Sequence, residues 1–174
     1  MITIITRGKA IDVEAIDNLQ AICGLFLPKD YTSFLKEFNG GIPEPNIFEK
    51  EGKKEVSLSV NTFFGIGLDS INDIYIQLNE LKERIPQGCL PIARAEGGDI
   101  LCLNLANDNY GQIFLWEHER EIECISISNM EKLALNFDEL LQKMKPYSHE
   151  DVDMSKYEVK NVWIDPDFLK ELEN

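Results

Sequence analysis

The chain has 174 residues, 44% of them hydrophobic, which suits one domain with a sizeable core and room for a terminal extension. Its 31 acidic against 17 basic side chains give a net charge of −14; this argues against wrapping nucleic acid, whose phosphates need Lys and Arg. No run is long and apolar enough to span a membrane, and the opening MITIITRGKAID reads as too short and interrupted for a secretory signal.

The first helix is expected from about Val13 to Phe26, where Val13, Ile16, Leu19, Cys23 and Phe26 recur near the helical period. The next is clearer. In LPKDYTSFLKEFNGG, Pro28 suits a first turn, and Tyr31, Phe34, Leu35 and Phe38 form one apolar stripe. Gly40 is expected to stop it, because glycine takes the left-handed conformation that closes a helix. IPEPNIFEKEGKKE reads as an exposed loop. In VSLSVNTFF, Val56, Leu58 and Val60 alternate with Ser57, Ser59 and Asn61, which predicts a strand with one buried face. Ser70 with Asp73 has the spacing of a capping box. The helix it opens should turn Ile71, Ile74, Tyr75, Leu78, Leu81 and Ile85 inward and end at Pro86.

The pattern then shifts to short apolar runs: LPIARA, ILCLNL, QIFLWE and IECISIS. The middle two are apolar on both faces, so they should lie centrally in a sheet covered on both sides. Asn107, Asp108, Asn109 and Gly111 form the short connection expected of an antiparallel hairpin. Ser128 with Glu131, and Asn136 with Glu139, resemble two successive helix caps. Leu133, Phe137, Leu140, Leu141 and Met144 give the last core-facing stripe, closed by Pro146. The expected organisation is one domain over residues 1–146. Residues 147–174, with eight acids and three lysines, form an acidic C-terminal extension, in which Trp163, Phe168 and Leu169 could dock as a short helix.

Cys23, Cys89, Cys102 and Cys124 sit among apolar residues and form no CxxC pair. This spacing predicts buried thiols in a reducing cytoplasm, with no zinc site and no other cofactor.

The candidate site comes from folding the hairpin on paper. If Leu105 faces Gln112, then Leu101 faces Trp116 and Asp99 faces His118, with a slip of one or two residues allowed. AEGGD and WEHE then meet at one end of the same two strands. Glu96, Asp99, Glu117, His118 and Glu119 gather there as an acidic lip around a Gly-Gly turn, while Asn107, Asp108 and Asn109 occupy the opposite end. A His among carboxylates could bind a divalent ion or share protons. Three features weigh against that. His149 lies in the extension, so His118 is the one His of the core. Strand alternation would aim Glu117 and Glu119 away from it. No nucleophile motif stands beside it. An Asp99–His118 cross-strand pair is the simpler expectation. EGGD and FNGG lack the phosphate-loop pattern, and Trp116, two residues after Phe114, reads as core.

Taken together, LPKDYTSFLKEFNGG, FFGIG, IPQGCLPIARAEGGDILCLNL, GQIFLWEHE and NFDELLQKM resemble the SUKH superfamily. Within it they are most similar to the branch named for the fungal cell-wall assembly regulator. The likeness runs from Leu27 to Met144. It includes Leu27, Pro28, Tyr31, Asn39, Gly40, Gly41, Pro91, Gly98, Asp99, Trp116 and His118, most of which look like scaffold. The resemblance implies an α+β fold, a central, mostly antiparallel sheet of about six strands flanked by helices. It also implies a non-enzymatic immunity protein, whose partner is a cognate toxin, often a nuclease, blocked in the cytoplasm of the producer. It brings no catalytic residues. An acidic surface suits a basic toxin; the lip and the Asn107–Asn109 loop are the candidate contacts. A cytoplasmic adaptor and a metal-dependent hydrolase using His118 and Asp99 are the competing readings.

Overall fold

A computed structural model describes residues 2–49, 57–68, 71–106, 108–121 and 123–146. The helices are α1 (Val13–Cys23), α2 (Lys29–Glu37), α3 (Ile74–Leu81) and α4 (Phe137–Lys143). The strands are β1 (Thr3–Ile5), β2 (Ile42–Glu44), β3 (Ile47–Glu49), β4 (Ser57–Phe63), β5 (Cys89–Ala95), β6 (Ile100–Asn104), β7 (Ile113–Trp116), β8 (Glu131–Ala134) and β9 (Met144–Lys145). β1 pairs with β2, and the other seven strands form one antiparallel sheet in the order β8-β7-β6-β5-β4-β3-β9. The fold is α+β, as the sequence suggests, with seven strands in the main sheet rather than about six.

Local chemistry sets the helix limits. The Asp12 carboxylate accepts from the Ala15 N–H at 2.9 Å and opens α1. Gly24, at φ +66, closes it. The helix therefore ends before Phe26, and both ends of the expected stripe, Val13 and Phe26, lie in solvent while Ile16 and Leu19 are buried. α2 buries Tyr31, Phe34 and Leu35 as its spacing predicts. Its stop begins one residue earlier than expected, because Asn39 already has φ +50 ahead of Gly40 at +84. Asp73 is itself the N-cap of α3, accepting from the Tyr75 and Ile76 N–H groups; Ser70 lies outside the described residues. Ile71 precedes the helix and is exposed, so the inward stripe starts at Ile74.

β4 alternates as read, with Leu58, Val60 and Phe63 buried; Val56 lies outside the described residues. β6 and β7 are buried along their whole length. Phe63 stands opposite Ala93, which stands opposite Leu101, and this face meets α2 and α4. Phe63 lies 5.1 Å from Phe34 and 5.4 Å from Phe137, ring centre to ring centre. The other face carries Ile100 and Trp116, and there the Trp116 indole donates to the Arg84 carbonyl just beyond α3 at 3.0 Å.

IPEPNIFEKEGKKE, read as an exposed loop, instead supplies β2 and β3, with Phe48 1% exposed, because β1 and β4 offer it partners. Further departures lie after β7. The IECISIS run, read as a strand, contains 3-10 turns at Glu123–Ile125 and Ile127–Asn129. Ser128 and Glu131 do not cap a helix, because Glu131–Ala134 is strand β8 on the outer side of β7. Leu133 is thus a strand residue, and Met144 belongs to β9, paired with β3. The Asn136 cap is as expected, its side chain accepting from the Glu139 N–H at 2.8 Å. The acidic extension lies outside the described residues.

Candidate functional site

The β6–β7 hairpin fixes the candidate site. Ile100 faces Trp116 and Leu101 faces Leu115, one residue off the expected register. Asp99 and His118 still meet, by a different route. β7 ends at Trp116 and a 3-10 turn starts at His118, which swings the imidazole back over Asp99. Asp99 Oδ1 accepts from the His118 backbone N–H at 3.1 Å and lies 2.9 Å from its Nδ1. The pair is thus a carboxylate capping a turn, not a ladder pair between two strands.

Gly98 is called for by its backbone, at φ +97; a Cβ there would meet the His118 ring only at ordinary contact, 3.8 Å. Gly97 is also left-handed, at φ +76. The glycines serve backbone geometry, since side chains rarely adopt these angles.

The acids of the lip differ in availability. Because residues 118–120 are a turn, strand alternation does not govern Glu117 and Glu119. Glu117 curls back to Arg120 at 2.8 Å, and Arg120 also holds Glu123 at 2.8 Å. Those bonds push the Arg120 guanidinium above its ordinary range. Arg84 grips Glu121 through two bonds, at 2.7 and 2.9 Å, and stacks 5.1 Å from the Trp116 ring. The guanidinium holds the Glu121 carboxyl below the usual carboxylate range. Glu96 and Glu119 are exposed and carry no ion pair among the described residues. Sequence reasoning missed Arg120, whose place directly after WEHE put it within i, i+3 reach of Glu117, and Arg84, which reaches the lip only through folding.

Trp116 is core, 2% exposed. At the other hairpin end, Asp108 and Asn109 are exposed, and Asn109 takes φ +66 to make the turn; Asn107 lies outside the described residues. The chemistry available at the lip is ion pairing and hydrogen bonding. His118 hydrogen-bonds only to Asp99 among the described residues, and no set of three or more His, Cys, Asp or Glu side chains there is placed to hold a metal ion. Cys23 and Cys89 are free thiols lining one hollow between α1 and the start of β5. No described helix is long and apolar enough to cross a membrane.

The profile of the SMI1 / KNR4 family (SUKH-1) matches residues 10–143, from just before α1 to the last residue of α4. The chain belongs to that family. The SUKH-1 match takes in six of the seven strands of the main sheet, β3 to β8, with the four helices and the whole lip. A SPbeta prophage-derived uncharacterized protein, YokK, of Bacillus subtilis (strain 168), is 28% identical over 122 residues, 61% of this SUKH-1 chain. The chain spans 62% of the length of that relative.

Proposed function

We propose that this chain is an immunity protein that binds and neutralises a cognate toxin, with no chemistry of its own. The SUKH-1 match over residues 10–143 carries the reading. The likeness to a prophage-derived protein is in keeping with it. The charge points to the partner. At −14 the chain favours encounter with a basic protein, as nucleases that grip phosphate commonly are. The lip at Glu96, Asp99, Glu117, His118 and Glu119 is the surface assigned to that encounter, with Asp108 and Asn109 the alternative at the other hairpin end. Within the lip, Glu96 and Glu119 are the charges a partner meets unshielded.

The test is calorimetry and stopped-flow association kinetics with the purified chain and any inactivated toxic domain encoded beside its gene. A one-to-one complex is expected. Glu96→Lys with Glu119→Lys should slow association by about tenfold at low salt. Unchanged association would remove the lip from the account, and absence of any complex would remove the toxin.

A further inference from the structure

β9 sets the direction in which the chain leaves the sheet. Met144 stands opposite Phe48 and Lys145 opposite Ile47, antiparallel, so beyond Pro146 the backbone heads toward Asn46, Pro45 and β2. β2 forms a two-stranded ribbon with β1. The inner side of the ribbon is buried through Ile4 and Pro43. Its outer side holds Ile5, 44% exposed, directly opposite Ile42, 38% exposed. Just past this pair Arg7 and Lys9 are exposed, and neither has an ion pair among the described residues. The one acid of the two strands, Glu44, stands at the other end of the ribbon, opposite Thr3.

The C-terminal extension suits this face in reach, order and charge. Ile42 lies five residues back from Ile47, about 17 Å of extended chain. The same length of chain after Lys145 arrives at Glu150, where EDVDMSKY begins. Glu150, Asp151 and Asp153 supply charge for Arg7 and Lys9, and Val152, Met154 and Tyr157 supply apolar cover for Ile5 and Ile42. Tyr147, Ser148 and His149 come first and bring no acid to Glu44. The family profile, over residues 10–143, leaves out β1, Arg7 and Lys9 at one end of the chain and everything from β9 onward at the other. The fold sets these two ends side by side, β1 against β2 and β9 against β3, with only Pro45 and Asn46 between β2 and β3.

We infer that residues 150–157 lie across the outer side of the β1–β2 ribbon, as a strap that covers Ile5 and Ile42 and pairs its acids with Arg7 and Lys9. The strap takes an apolar β-branched pair out of water and guards a sheet edge that β9 covers over only two residues of β3. The inference is independent of the immunity reading, because the lip hangs on β6 and β7, away from the β3–β9 edge.

The experiment places a photoreactive phenylalanine analogue at position 42 of the full chain, irradiates the protein in dilute solution and maps the product by mass spectrometry. A cross-link within one chain to residues 150–157 is expected. A cross-link between two chains assigns the face to a second copy and overturns the strap; a cross-link elsewhere in the same chain, or none, overturns it as well. Amide exchange reads the same contact without the analogue. Glu150→Lys with Asp151→Lys and Asp153→Lys, in the full chain, should speed exchange over residues 2–6 and 41–45 by about fivefold or more and leave residues 89–95 as in the parent. Equal exchange of the ribbon in variant and parent overturns the strap.

Discussion

Asn39 shows how much one side chain can hold in this fold. It is 1% exposed and joins three segments. Its amide donates to the carbonyls of Lys9 and Ile66, both at 2.9 Å, and its oxygen accepts from the Ile66 N–H at 2.7 Å. Gly8 and Gly65 press so closely on its backbone that a Cβ at either would clash. Asn39→Asp would aim a carboxylate at two carbonyl oxygens, so a loss of about 3 kcal/mol or more in urea unfolding is expected. Cys89 gives a second prediction. Burial pushes its thiol up to about 12, from an ordinary value near 9. A raised folded value means the native state holds the proton more tightly than the unfolded chain. That stabilisation is full below about pH 9 and is lost as pH rises toward 12. Tyr31, fully buried, shifts in the same direction. Urea stability should therefore fall across this alkaline window, and Cys89→Ala should flatten part of the slope.

At the scale of elements, α4 shows stability arranged from a distance. Asn136 caps it from its own segment, and Asp30 of α2 accepts from the Phe137 and Asp138 N–H groups at 2.9 and 3.3 Å. Asn136→Ala and Asp30→Ala should each cost about 1 kcal/mol in urea unfolding. Glu139 accepts from the Leu135 N–H and pairs with Lys143 at 3.0 Å, which holds its carboxyl below the usual range. Its contribution is present above about pH 4.5 and fades as pH falls through the lowered folded value. The Asn136–Glu139 spacing, the α2 stripe, the β4 alternation and the doubly buried β6 and β7 were all legible, because each is written in local order. β8 was not. Ser128 and Glu131 have the spacing of a helix cap, but the outer edge of β7 offers a hydrogen-bonding partner that no local pattern displays. The same holds for β9, two residues long and defined by β3 alone. Asp99 and His118 came together as read although the register slipped, because the turn at His118 supplies the reach. Phe26 was misjudged because the helical period was carried past Gly24.

At the scale of the molecule, the proposed immunity reading gives the −14 charge the task of speeding encounter with a basic partner. Association with a basic toxin should slow by about tenfold or more between 50 and 500 mM salt, with dissociation moving far less. A family match names a fold, while function and the identity of a partner reside in surface side chains. On the proposed reading those are Glu96 and Glu119 at the lip. The most direct measurement of the central claim is survival of a host that co-expresses this chain with the toxic domain encoded beside its gene. The account predicts rescue, together with a stable one-to-one complex recovered from the surviving cells. Death of the host at full expression of both chains, with no complex recovered, would contradict it.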